Sequence, residues 1–201
     1  LLAALAGQAP DHDALVLAAD RPELRRDAIW ALGFAGRRAG ADLCVDLVCQ
    51  DLEPRLAAEA FCAITGCDLQ AEPGLAAPPS GEGEDAPAIT NEDLAPPAPD
   101  RLLPLPDAAG LTRWWQAARR GFSAEVRYLR GSPIDTTALQ SELERGSMRR
   151  RPPIALELAI RTQGRYDVAT AAFSWEQRRQ LAAFSALPVP VRRAAEQWSP
   201  S

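Results

Sequence analysis

Pro22-Glu23-Leu24-Arg25-Arg26-Asp27-Ala28-Ile29-Trp30-Ala31-Leu32-Gly33 decides how the rest of the chain is read. Its apolar residues recur at helical spacing, behind a proline placed where a first helical turn tolerates one. Sliding the sequence against itself brings a second copy under the first after 32 residues. Leu24 to Leu32 then lies over Leu56 to Ile64, and Pro54 is the counterpart of Pro22. Both copies carry Leu, Ala, a large apolar residue and then Leu or Ile, with an acid at the shared position of Asp27 and Glu59. Between them, Asp42–Gln50 predicts a second helix with Leu43, Leu47 and Val48 on one side. Asp13–Ala19 repeats that second helix one period earlier. Residues 1–6 read as the stub of a preceding first helix, closed by Gly7 as Gly36 closes the next. Such a repeat buries its apolar face only against its neighbours, so the array needs a cap, and the remaining chain is the candidate for it.

Composition points the same way. Of the 201 residues 47% are hydrophobic but only 6% aromatic, so the core must be built largely from Ala and Leu, which favour helices over sheet. All 22 basic residues are Arg, which together with abundant Ala, Pro and Gly indicates a GC-rich, bacterial coding genome. A net charge of −5 and a pI near 5.0 argue against nucleic acid as the main partner. No stretch is apolar and long enough to span a bilayer, and the opening Leu1-Leu2-Ala3-Ala4-Leu5-Ala6 lacks the basic leader of a signal peptide. The chain does not begin with Met, and residue 1 is read as a cut through a longer protein.

The stretch from Pro22 to Gly33 resembles the first helix of HEAT and related repeats, P-x-[VL]-R-x-x-A-[AIV]-x-A-L-G. A second stretch, Ala58-Glu59-Ala60-Phe61-Cys62-Ala63-Ile64-Thr65-Gly66-Cys67-Asp68-Leu69, resembles the GEAFSxITGVDL signature of an uncharacterised bacterial HEAT-repeat family. Leu103-Pro104-Leu105-Pro106-Asp107, Trp114-Trp115, the turn Arg127-Tyr128-Leu129-Arg130-Gly131-Ser132-Pro133 and the basic helix beginning at Arg149-Arg150-Arg151 follow in that family's order. The departure is at Pro152-Pro153, where the helix must start rather than continue. The resemblance spans roughly residues 20–165 and implies a repeat protein without assigned enzymatic activity, associated with type VI secretion gene clusters.

The expected fold is therefore all-α: the C-terminal end of a HEAT-like α-solenoid over residues 1–70, then a small helical domain over 102–201. Residues 71–101, rich in Pro, Gly, Ala and acids, read as a linker that cannot bury enough apolar surface to order itself. In the helical domain, Asp107 caps a helix to about Arg120, and Asp135 or Thr136 caps another to Arg145. Further helices are expected from Pro153 to Arg161, from Trp175 to Phe184 and from Val191 to Trp198, with Gly164–Phe173 irregular.

No catalytic constellation stands out. His12 is the only histidine and sits near a repeat turn with no nucleophile assigned to it. Cys44, Cys49, Cys62 and Cys67 pair at four-residue spacings rather than the two-residue spacings of structural zinc sites, and read as unpaired thiols of packed helices. No phosphate loop or dinucleotide fingerprint is present, so no cofactor or metal is expected. The candidate partner-binding residues are Trp30, Trp114, Trp115, Arg119, Arg120, Arg149, Arg150 and Arg151, because Trp and Arg dominate binding hot spots. Trp114 and Trp115 point about 100° apart on a helix, so both cannot sit at the centre of one buried stripe; one is expected to pack against the repeats and the other to lie at the margin or on the surface. The function expected is that of a cytoplasmic, non-enzymatic adaptor, chaperone or immunity factor for a secreted protein or secretion component. The alternative is a nucleic-acid binder or an enzyme related to HEAT-like DNA glycosylases, using the Arg149–Arg151 run.

Overall fold

Proline before and glycine after set the two long helices of the repeat. In the computed structural model, which describes residues 1–77, 99–172 and 174–198, helix α3 spans Pro22–Ala35 and α5 spans Pro54–Thr65. Each carries Pro in its first turn and ends on a glycine in the left-handed region, Gly36 at φ +69° and Gly66 at φ +76°. Their burial matches along the second half of each helix, whereas in the first half Leu24 is exposed and its counterpart Leu56 is buried. Ala28, Ile29, Ala31 and Leu32 are buried in α3, as are Ala60, Phe61, Ala63 and Ile64 in α5. Trp30 and Cys62, at the equivalent position, are both half-buried.

Helices α1 (Leu2–Ala6), α2 (Ala9–Ala18) and α4 (Arg38–Cys49) complete the N-terminal part. α1 lies beside α3 and α3 beside α5, while α2 and α4 touch each other and pack across that row. Two boundaries differ from expectation. α2 begins at Ala9 rather than Asp13, because Gln8 and Asp11 form a reciprocal capping box around Pro10. α4 begins at Arg38 rather than Asp42, with the small residues Gly40 and Ala41 buried in its first turn.

The C-terminal part is also mostly helical. α6 (Ala108–Ala118) starts where the Asp107 carboxylate accepts the Gly110 N–H at 2.6 Å. α7 (Thr136–Arg145) starts where Asp135 accepts from Ala138 at 2.7 Å. α8 (Arg151–Arg161) opens on its two prolines, and α9 (Ser174–Ala183) and α10 (Val189–Glu196) follow. Between α6 and α7 lies a short antiparallel hairpin, β1 (Tyr128–Leu129) and β2 (Ser132–Pro133). Its two turn residues, Arg130 and Gly131, have φ of +52° and +81°, the sign a tight two-residue hairpin turn demands.

Two apolar clusters hold the molecule together, and each draws on both parts of the chain. One joins Ile29, Val45, Phe61 and Ile64 to Leu111, Trp115, Phe122 and Tyr128. The other joins Leu5, Ala31 and Phe34 to Leu139, Leu143, Ile154 and Leu158. The N-terminal edge of the expected linker belongs to the first cluster through Leu75. Leu75 accepts the Asp107 N–H at 2.7 Å, and Ala77 donates to Leu105 at 2.8 Å. The start of the segment is thus docked through Leu75 and Ala77, and its end through Asp100, which pairs with Arg149 at 2.8 Å. Residues 78–98, which hold that acidic centre, lie outside the described residues.

Candidate functional site

The tryptophan pair divides as helix geometry requires. Trp115 is buried at 4% exposure and its indole Nε1–H donates to Asp42 of α4 at 2.8 Å. Trp114 is half-buried, and both rings meet Phe61 edge-on, at 5.7 and 5.4 Å between centroids. Arg119 clamps the same Asp42 with two bonds of 2.6 and 2.8 Å. Burial pushes the Asp42 carboxyl up, but the bonds from Arg119 and Trp115 outweigh it and hold it below the usual range. α6 is therefore docked by one side, leaving Arg113, Gln116, Ala117 and Arg120 exposed in a stripe along the other. As an anchor for a partner, Trp115 is corrected: its ring and its donor are both spent inside the chain.

The Arg149–Arg151 run is also spent internally, which corrects the expectation of a basic patch. Arg149 bonds Asp100 at 2.8 Å, faces Glu59 at 3.5 Å and lies 4.6 Å over the Trp30 ring. Arg150 is 2% exposed, donates one bond of 2.8 Å to the Gly33 carbonyl and stacks 4.0 Å from Phe34. Its Nε and Nη1 have no partner among the described residues, and burial brings its pKa down to about 10 against the attraction of Glu59. Arg151 donates to the carbonyls of Glu144 and Gly146, closing the end of α7. Trp30 thus lies under the chain's own arginines, with Phe34 edge-on at 5.0 Å.

A third arrangement was not foreseen. The C-terminal ends of α1, α3 and α5 leave carbonyls without helical partners, and the segment 125–134 supplies donors to them. Tyr128 N–H donates to Gly36, Arg130 N–H to Ala63 and Gly131 N–H to Ile64, at 2.7, 2.8 and 2.9 Å. Gly131 is required here, since a Cβ would come within 2.6 Å of the Thr65 carbonyl. The Arg127 guanidinium reaches Ala4, Phe34 and Ala35 at 3.0–3.2 Å, and also Glu157 of α8 at 3.2 Å. Glu157 is shared with Arg161, which bonds it at 3.1 and 2.7 Å. A cationic guanidinium at helix C-termini is favoured by the partial negative charge there.

His12 belongs to this cluster. Arg37 Nε–H donates to His12 Nδ1 at 3.2 Å, so that nitrogen is unprotonated and Nε2–H donates to the Ala4 carbonyl at 3.3 Å. Burial, then Arg127 and Arg37, depress its pKa to about 4, so the ring is neutral at neutral pH.

No protein-family model matches the chain, and no curated protein or solved structure is significantly similar to it.

The four cysteines are free thiols. Cys44 and Cys67 are buried and Cys62 is half-buried, as packed-helix thiols should be, whereas Cys49 is exposed, 3.4 Å from the Thr112 hydroxyl. Burial pushes the Cys44 thiol up to about 12, and contact with Cys62 followed by burial raises Cys67. Cys62 and Cys67 line a cavity of about 180 Å³ with Arg55, Glu59 and Arg130. Burial raises Glu59 against the opposing pull of Arg150 and Arg149. Of the buried polar residues that sequence reading missed, only Glu157 and Arg161 carried a local signal. They stand four apart on a helix whose stripe is otherwise apolar.

Proposed function

We propose that this chain is a protein-interaction module of the HEAT-like α-solenoid type, with α1 to α5 forming about two and a half helical units. It binds another protein and catalyses no reaction of its own. The observation that carries this reading is the placement of α6. Its apolar side is consumed by docking, and Arg113, Gln116, Ala117 and Arg120 face outward beside half-buried Trp114 and Arg119. A half-buried tryptophan bordered by exposed arginines on a docked helix has the composition of an interface hot spot. Trp30 and Arg149–Arg151 support the reading differently, as the fastening between repeats and C-terminal helices rather than as contacts to a partner.

The partner to test first is a secreted protein or a component of the secretion apparatus, as the family resemblance implies, with the chain acting in the cytoplasm as adaptor, chaperone or immunity factor. Among the described residues no helix is long and apolar enough to cross a membrane. The deciding experiment is binding between the purified chain and the purified products of genes flanking its own, by titration calorimetry. A stoichiometric complex weakened by Arg113→Glu with Arg120→Glu is expected. Absence of any complex, together with retarded DNA or RNA at physiological salt, would instead favour the nucleic-acid reading.

A further inference from the structure

Beside the sealed helix ends a cleft of about 440 Å³ opens between the start of α2, the hairpin and the ends of α8 and α10. Arg37, Arg127 and Arg161 line it together with Val126, Ile134 and Trp198. Arg161 is only 5% exposed, with its guanidinium 5.2 Å from the Trp198 ring.

These three guanidinium groups are not equally committed. Arg127 spends its donors on the carbonyls of α1 and α3 and on Glu157, and so absorbs the partial negative charge of those helix ends. Arg161 spends Nε and Nη2 on Glu157, leaving Nη1 without a hydrogen bond among the described residues. Arg37 spends Nε on His12 and Nη1 on the Glu125 carbonyl, leaving Nη2 likewise. One buried carboxylate therefore serves two buried arginines, and Arg37 pairs with no carboxylate among the described residues. Glu125 and Glu196 also line the cleft, but both are exposed, where solvent screens them, and neither forms an ion pair among the described residues. The neutral His12 adds no charge on either side.

Guanidinium groups with spare N–H donors recognise carboxylates through paired, directional bonds. The adjoining Val126, Ile134 and Trp198 would take an apolar side chain. Resting on the protein-binding reading above, we propose that this cleft receives the C-terminus of a partner protein, its carboxylate on Arg37 and Arg161 and an apolar last side chain against Trp198. Capture of a chain terminus in a pocket of backbone and cationic donors is an established recognition mode.

The probes are N-acetyl-leucine, which mimics such a terminus, N-acetyl-leucinamide, which lacks the carboxylate, and inorganic phosphate. Nuclear magnetic resonance of the full chain would follow the Trp198 indole and the Arg37 and Arg161 Nε–H signals. N-acetyl-leucine is expected to shift them saturably, with a dissociation constant on the order of a few millimolar, while the amide shifts them at least tenfold less. Trp198→Ala and Arg37→Gln should each weaken the effect severalfold while the remaining spectrum shows the fold intact. Equal response to acid and amide, or none to either, would overturn the proposal. Preference for phosphate over N-acetyl-leucine would overturn the chain-end assignment. A gene-neighbour partner that binds equally well with its C-terminus amidated would sink the cleft while leaving the interaction-module reading standing.

Discussion

Arg127 is largely and Arg150 fully buried at the seam between the N-terminal and the C-terminal helices, yet their surroundings are opposites. Arg127 is held by three carbonyls within 3.2 Å and by Glu157. Arg150 has one carbonyl, two aromatic faces and two guanidinium nitrogens without a partner among the described residues. Burying a charge is costly, and only a full set of hydrogen bonds and a countercharge offset that cost. Arg127 thus does work that an apolar residue could not do, whereas Arg150 mostly fills volume. The seam is sealed at the helix ends and merely covered along the flank.

The largest effect should come from Arg127→Met. It strands the carbonyls of Phe34 and Ala35, leaves that of Ala4 to His12 and Glu157 to Arg161 alone, at a cost of about 3–5 kcal/mol by urea denaturation. Gly131→Ala attacks the same seal through the backbone. The left-handed φ and the approach to the Thr65 carbonyl predict a loss of roughly 2–3 kcal/mol in the same assay.

His12 provides a pH-dependent version of the contrast. Its folded pKa of about 4 lies below the unfolded 6.5, so the unfolded state binds more protons between those values. Its contribution is complete above about pH 6.5 and falls as the pH drops toward 4, by roughly 2 kcal/mol at pH 5. His12→Gln should abolish that part of the acid sensitivity; an unchanged stability difference between pH 7 and pH 5 would refute the burial of a neutral ring. The smallest effect is expected for Arg150→Met, within about 1 kcal/mol of the parent in either direction. A loss above about 3 kcal/mol would erase the distinction between the two arginines.

The helices themselves were legible because their signals are local. Pro22, Pro54, Gly36 and Gly66 bracket α3 and α5, and Asp107 and Asp135 cap α6 and α7 as their spacing predicts. The start of α2 was missed because its capping box uses Gln8 and Asp11 around a proline, a weaker signal than Ser or Thr. The candidate surface was legible only in part. Trp114 and Trp115 separate as the 100° rule demands, but which of them turns inward depends on Phe61 and Asp42, more than forty residues away. The fate of Arg149–Arg151 could not be read locally either, since Asp100, Glu59 and the Gly33 carbonyl are brought there by the fold. The same holds for Arg127, whose acceptors come from α1, α3 and α8.

The hairpin and Arg127 seal the helix ends, so the N-terminal and C-terminal helices should unfold as one unit. Native-state hydrogen exchange of the Tyr128, Arg130 and Gly131 amides tests it most directly, because these three donate to Gly36, Ala63 and Ile64. They are expected to exchange with the slowest amides of α5, at the free energy of global unfolding. Exchange through a local opening that leaves α3 and α5 protected would contradict it.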